Sequence, residues 1–241
     1  MNGDRELLLS ELHAHSTWSD GVFSVPALVD LYGGQGFDVL CITDHVHAAD
    51  DPCADSGIPP ARLEDYLAEI EREAERSFAE YGLIVVPGVE LTFNDEDPDL
   101  AAHALAIGLR TWAPLEDGLE RALLRARDAG AALVAAHPTG PASPETPRGA
   151  TRRFWTELDE LGGLVDRFEL INRHDAYAWV AEARLPAVAT GDFHRFEHLF
   201  TWKTLLPCAR SEEAVVHCLQ SDTRLHLAAF GPPESPARVA A

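Results

Sequence analysis

The sequence predicts an α/β fold: a βα repeat of about seven strands wound into one sheet. Three observations predict it. Apolar runs alternate with amphipathic stretches from one end of the chain to the other. The apolar runs are nearly continuous, the pattern of strands buried on both faces of a parallel sheet. The 241 residues suffice for one large core without a linker or internal repeat. Two architectures satisfy these facts, a closed or nearly closed barrel and an open doubly wound sheet. No G-x-G-x-x-G or Walker loop follows any apolar run, which weakens the nucleotide-binding form of the open sheet.

In order, strands are expected at 7–13, 37–43, 83–91, 102–109, 131–136, 168–172 and 187–190, with a further short strand at 201–206. Helices are expected between most of them. The first, 25–33, follows Ser24 as N-cap with Pro26 early in the helix. The second, 62–81, is rich in Glu, Ala, Arg and Leu, and its 69–76 Glu/Arg run reads as a solvated face. The others are 115–129, 151–161, 175–183 and 211–219. Residues 138–153 are rich in Pro and Gly and carry Arg148, Arg152 and Arg153, reading as a long loop after the fifth strand. One domain over 1–230 with a flexible tail at 231–241 is the expected organisation.

Composition excludes several classes. Hydrophobic residues make up 46% and charged residues 24%, ordinary globular values. No run approaches the roughly 20 apolar residues of a membrane span. The opening Met1–Glu6 segment is too acidic for a signal peptide, so no membrane association and a cytoplasmic location are expected. Cys41, Cys53, Cys208 and Cys218 form no C-x-x-C pair and read as thiols in a reducing compartment. The formal net charge of −21 repels long polyanions, so a broad nucleic-acid footprint is disfavoured. Oligomeric state is not indicated.

The chemistry is carried by histidines at strand ends. His13 and His15 end the first strand as H-A-H, and residues two apart in an extended chain point to one side. Asp20 follows in the turn; Asp44 and His45 end the second strand, and Glu90 ends the third. His103 lies early in the fourth, His137 ends the fifth, and Asp192 and His194 end the seventh as D-F-H. In a βα barrel the carboxyl ends of the strands carry the active site. Imidazoles and carboxylates together are ligands for zinc, manganese or iron. Clustered carboxylates would repel one another without cations.

The segments E-L-H-A-H-S-T-W-S-D-G (11–21), I-T-D-H (42–45), P-G-V-E (87–90), His103, A-H-P (136–138) and G-D-F-H (191–194) resemble, in order, the polymerase and histidinol phosphatase (PHP) superfamily of metal-dependent phosphoesterases. The resemblance implies a distorted (β/α)7 barrel with two or three divalent ions, Zn, Mn or Fe. It implies that His13, His15, Glu90 and Asp192 hold one ion. Glu90 would bridge to a second, completed by His103 and His137; Asp20, His45 and His194 would hold the third. The implied reaction is hydrolysis of a phosphoester by a metal-bridging hydroxide.

Around these ligands, Asp44 is a candidate to orient a ligand or shuttle a proton. Arg173 and Arg195 follow the sixth and seventh strands and are candidate phosphate clamps and catalytic residues. His47 and His174 sit just past strand ends as candidate substrate contacts. The expected substrate is a small phosphorylated metabolite, nucleotide or short oligonucleotide. A nuclease acting on nucleic-acid ends is the alternative, and a non-catalytic metal-binding module is a third reading. Carbon–nitrogen hydrolysis on a related barrel commonly needs a carboxylated lysine; the single lysine, Lys203, lies outside the motifs. Specificity is expected from the loops 46–60, 92–101 and 138–153.

Overall fold

A computed structural model describes residues 7–141 and 151–232 of the chain. Residues 142–150 of the expected long loop, with Arg148, lie outside the described residues, as do 233–241 of the expected tail.

The elements run β1 (Leu8–Glu11), α1 (Val25–Gly34), β2 (Val39–Ile42), β3 (His45–Val46), α2 (Leu63–Tyr81), β4 (Ile84–Phe93) and β5 (Ala102–Ile107). Next come α3 (Leu119–Asp128), β6 (Ala132–Ala136), α4 (Arg153–Thr156), α5 (Leu158–Leu161), β7 (Arg167–Asn172) and β8 (Asp175–Ala176). The chain continues with α6 (Ala178–Glu182), β9 (Ala187–Thr190), β10 (Trp202–Leu206), α7 (Glu212–Gln220) and β11 (His226–Ala229). The sheet order is β11-β10-β1-β2-β4-β5-β6-β7-β8, with β9 paired to the other edge of β7 and β3 to β4. This is a curled sheet forming a distorted barrel, as expected.

The sheet is not uniformly parallel. β5 runs antiparallel to both β4 and β6, and β10 antiparallel to β1. A continuous apolar run reports burial on both faces and carries no information on direction. The expected helix 151–161 is two short turns, and β8 occupies the start of the expected helix 175–183. Ser24 has the extended backbone of an N-cap, but its side chain makes no cap bond. Ser211 does cap α7, accepting from Ala214 N at 3.2 Å.

Strand alternation divides the core. Val39 and Cys41, Ile84 and Val86, Leu105 and Ile107, and Val134 and Ala136 face inward, where Val215, Cys218 and Leu219 of α7 plug one end of the barrel. Their neighbours Leu40, Ile42, Val85, Ala104 and Leu133 face outward against α1, α2 and α3. The same two-residue period carries the inward face of β4 from Ile84 and Val86 to Glu90. The barrel is therefore apolar at its plugged end and polar at the other.

The seam between first and last strands closes in two ways. Near the plugged end, Thr204 Oγ1 accepts from Ala189 N (2.9 Å) and donates to Ala189 O (2.8 Å), so a β10 side chain replaces a backbone ladder to β9. At the polar end, His15 N donates to Phe193 O (2.8 Å) and Phe193 N to His13 O (2.9 Å). Ala14 and Phe193, the middle residues of H-A-H and D-F-H, thus form a parallel bridge. Among the described residues no helix is long and apolar enough to cross a membrane. The four cysteines are free thiols.

Candidate metal centre

The bridge at Ala14 and Phe193 sets four site residues side by side, two from each motif. Gly191 is needed here: a Cβ would lie 2.2 Å from Glu11 Oε2 and 2.4 Å from Lys203 Nζ. Gly88 of P-G-V-E is needed too, since its Cβ would lie 2.8 Å from Ala106 O across the β4–β5 pair. His103 reaches the same end of the barrel although it lies early in its strand, because β5 runs backwards.

Glu90, fully buried, is the hub. Its Oε2 lies 3.3 Å from His13 Nε2, 3.3 Å from His15 Nε2 and 3.0 Å from His45 Nδ1. Its Oε1 lies 3.1 Å from His103 Nδ1 and 3.1 Å from His137 Nε2. Asp192 Oδ1 stands 3.6 Å from both His13 Nε2 and His15 Nε2 and 3.2 Å from His194 Nδ1. Asp20 Oδ1 stands 3.0 Å from His194 Nε2, 3.5 Å from His45 Nε2 and 3.8 Å from His15 Nδ1. All nine expected ligand side chains therefore meet in one cluster. Three subsets have donor atoms within 4.8 Å of one another: His15, Asp20, His45 and His194; His13, His15 and Glu90; and Glu90, His103 and His137.

The donor set fits divalent cations. The Nε2 of His15 is buried and has no hydrogen-bond partner, a cost that a cation at that atom would remove. Burial alone would raise the Glu90 carboxyl, yet the charges of His45 and His13 hold it well below its usual range. Burial, joined by His194 and His45, drives the His15 imidazole well below its usual value. Burial also lowers His103, to about 4, against the pull of Glu90. For His194, burial is outweighed by Asp192 and Asp20, which raise it to about 9. Without cations, protons shared among a few imidazoles balance the carboxylates; cations would do the same and leave every imidazole neutral.

Backbone strain gathers here. His137 (φ 30°), Arg173 (φ 54°) and Asp192 (φ 41°) are three of the four non-glycine residues in the left-handed region among those described. Such conformations persist where surrounding bonds over-determine them.

The other candidates separate. Asp44 is fully buried and accepts from Ser16 N (2.7 Å), Ser16 Oγ (2.7 Å) and Ser19 Oγ (2.6 Å). Its bonds brace the turn that carries Asp20. Arg173 turns back onto Asp192, meeting its carbonyl at 2.9 Å and its carboxylate at 2.8 Å. Arg195 is exposed, bonds His198 Nε2 at 3.4 Å, and has no carboxylate partner among the described residues. Arg152 and Arg153 pair with Asp99 (2.6 Å) and Glu157 (2.8 Å). His174 is exposed. His47 is buried beside His45, with ring centroids 5.4 Å apart, and neither of its ring nitrogens has a hydrogen-bond partner. The loops 46–60 and 92–101 meet where Asn94 Nδ2 donates to Asp51 Oδ2 (3.0 Å) while its Oδ1 contacts His103 Nε2 (3.0 Å).

Residue-by-residue reading missed Glu11, Glu169 and the use of Lys203. Glu11 and Lys203 form a fully buried pair at 2.7 Å. Glu11 Oε1 accepts from Gly191 N (2.8 Å) and His13 N (3.2 Å), tying both motifs to one carboxylate. Glu169 is fully buried 2.8 Å from His13 Nδ1. The available signal was the Glu in the middle of the strand-like run F-E-L-I-N, where a buried charge needs partners.

No family model matches the chain. It is 26% identical over 223 residues to the DNA polymerase/3'-5' exonuclease PolX of Bacillus subtilis, covering 83% of this chain and 36% of that protein. It is 36% identical over 86 residues to a 5'-3' exoribonuclease of Haemophilus influenzae, covering 36% of this chain and 24% of that one. The chain thus spans about a third and a quarter of these curated relatives. A two-domain protein of Bacteroides vulgatus, described as containing a predicted PHP-like metal-dependent phosphoesterase, superposes with TM-score 0.67 at 21% identity, over 93% of this chain and 65% of that one. An amidohydrolase from Chromobacterium violaceum with bound sulfate and no metal superposes with TM-score 0.51 at 17% identity, over 77% of this chain and 87% of that one. The resemblance read from the motifs holds at the level of architecture: the chain has the PHP fold.

Proposed function

We propose that the chain is a metal-dependent phosphoesterase acting on a small phosphorylated metabolite, nucleotide or short oligonucleotide. The observation that carries this reading is the convergence of five imidazoles on the two oxygens of the buried Glu90. His13, His15, Glu90 and Asp192 would hold one cation, Glu90, His103 and His137 a second, and Asp20, His45 and His194 a third. Zinc, manganese and iron all suit this mixed donor set. Such ions supply Lewis acidity toward phosphoryl oxygens and an activated water.

The chain's own residues do the rest. Arg173 holds Asp192 by carbonyl and carboxylate, and Asp44 holds the turn bearing Asp20. Arg195, exposed beside His194 and without a carboxylate partner among the described residues, would meet a substrate phosphate. The acidic surface favours short substrates over long polymers. The names of the two curated relatives favour a second reading, a nuclease acting on nucleic-acid ends. Carbon–nitrogen hydrolysis through a carboxylated lysine is disfavoured, because Lys203 is committed to Glu11 at the seam.

The test is chelated protein given zinc, manganese or iron singly, assayed on a phosphomonoester panel beside short and long oligonucleotides. Metal-restored turnover is expected, lost in His15→Ala and Asp192→Ala with most of the fold kept. Turnover indifferent to chelation, or wild-type turnover in either variant, contradicts the assignment. Stepwise release of nucleotides from long strands would select the nuclease reading.

A further inference from the structure

We propose that Glu169 is a positioning residue of the centre: its carboxylate fixes which nitrogen of His13 faces the cations and where the His137 backbone lies. This rests on the metal-centre reading above.

Glu169 sits on β7, fully buried, and uses both oxygens twice. Oε1 accepts from Thr190 Oγ1 (2.6 Å) and faces His13 Nδ1 (2.8 Å). Oε2 accepts from His137 N (2.6 Å) and Asn172 Nδ2 (2.8 Å). An ionised carboxylate only accepts, so His13 Nδ1 must carry the proton in that contact. The ring's other nitrogen, Nε2, on the side of Glu90 and Asp192 at 3.3 and 3.6 Å, is then the one whose proton a cation would replace. A carboxylate behind a ligating imidazole also raises the basicity of the metal-facing nitrogen.

The second oxygen does separate work. His137 is in the left-handed region at φ 30°, a conformation that costs a non-glycine residue energy. Its N–H bond to Oε2 is one of the contacts that hold it there. One side chain therefore orders a ring from the first strand motif and a backbone from the fifth. Asn172 donates to the same oxygen, so it orients the carboxylate in turn.

Four groups donate to Glu169, and the substitution Glu169→Gln cannot keep all four donating. With its NH2 toward His137 and Asn172 the amide meets two N–H donors that cannot accept; with its NH2 toward Thr190 and His13 it needs Nδ1 to accept, which reverses the His13 tautomer. The side-chain volume is unchanged, so the effect reads hydrogen-bonding chemistry and not a cavity.

The probe is zinc alone, added to the chelated 241-residue chain. In zinc-loaded wild type, long-range 1H–15N spectra should show His13 protonated on Nδ1 and not on Nε2, with the resonance assigned through His13→Asn. Glu169→Gln should lower zinc affinity about 10–100-fold in competition with a chromophoric chelator, with far-UV circular dichroism of the folded protein retained. A wild-type His13 protonated on Nε2, or a folded Glu169→Gln with undiminished zinc affinity, overturns the assignment of Glu169 alone. Failure of the wild type to bind zinc removes the metal centre, and the proposal with it. Should Glu169→Gln not fold, the wild-type spectrum decides.

Discussion

Lys203→Met removes one partner of the ion pair that closes the barrel. Lys203 Nζ lies 2.7 Å from Glu11 Oε2, and both side chains are fully buried. The same Nζ donates to Thr201 Oγ1 at 2.7 Å. Methionine fills the space of the aliphatic stem but leaves Glu11 with Gly191 N, His13 N and Tyr32 Oη as its donors. Removing one side of a buried pair costs about 3–5 kcal/mol, because the remaining charge is desolvated without compensation. For a chain of this size each kcal/mol moves Tm by about 2–4 °C, so a fall on the order of 6–20 °C is expected. Adding Glu11→Gln should restore part of this loss. The glutamine oxygen can accept from Gly191 N and His13 N, while its NH2 faces the Tyr32 hydroxyl, which can accept. The assay is urea unfolding followed by far-UV circular dichroism, in chelator so that cation binding does not mask the difference. A single variant within about 1 kcal/mol of wild type, or a double variant no more stable than the single one, would refute this account of the seam.

Four further predictions concern the site. Gly21→Ala places a Cβ 2.2 Å from the His15 carbonyl oxygen, so the turn bearing Asp20 must shift; about 1–3 kcal/mol of stability should be lost, and an unchanged melting temperature would contradict it. Arg195→Ala should raise KM about tenfold, the worth of one charge-assisted hydrogen bond, with kcat little changed; a fall confined to kcat would place Arg195 elsewhere in the reaction. The metal-free chain should lose stability as pH rises. His194, raised from 6.5 to about 9 in the folded state, contributes in full below pH 6.5, and that contribution fades through about pH 9. Urea midpoints in chelator at the two pH values check this, and a rise toward pH 9 would contradict it. Zinc binding should follow the opposite course and tighten with pH, because ligation needs neutral imidazole.

Much of the site was legible in the sequence because its residues obey local rules. The two-residue strand period predicted that His13 with His15, and Asp192 with His194, share a side; both pairs lie just past β1 and β9, where the Ala14–Phe193 bridge sets them together. Their positions at the ends of apolar runs pointed to one end of a barrel. Strand direction was not legible: 102–107 reads as a buried strand whichever way it runs, and only its pairing with β4 and β6 shows the reversal that brings His103 to the others. The long loop read from prolines and glycines did not reveal that Arg152 and Arg153 are engaged by Asp99 and Glu157.

By itself the sequence determined the composition of the centre, its imidazoles and carboxylates and their spacing along successive strands, because those depend on residue type and backbone period. Tertiary structure alone decided which atoms face each other. That Glu90 collects five rings, that Arg173 returns to Asp192, and that Glu11, Lys203 and Glu169 stand behind the cluster are contacts between segments up to 192 positions apart. Such pairings follow from how the sheet curls and closes, and no local pattern in the chain encodes them.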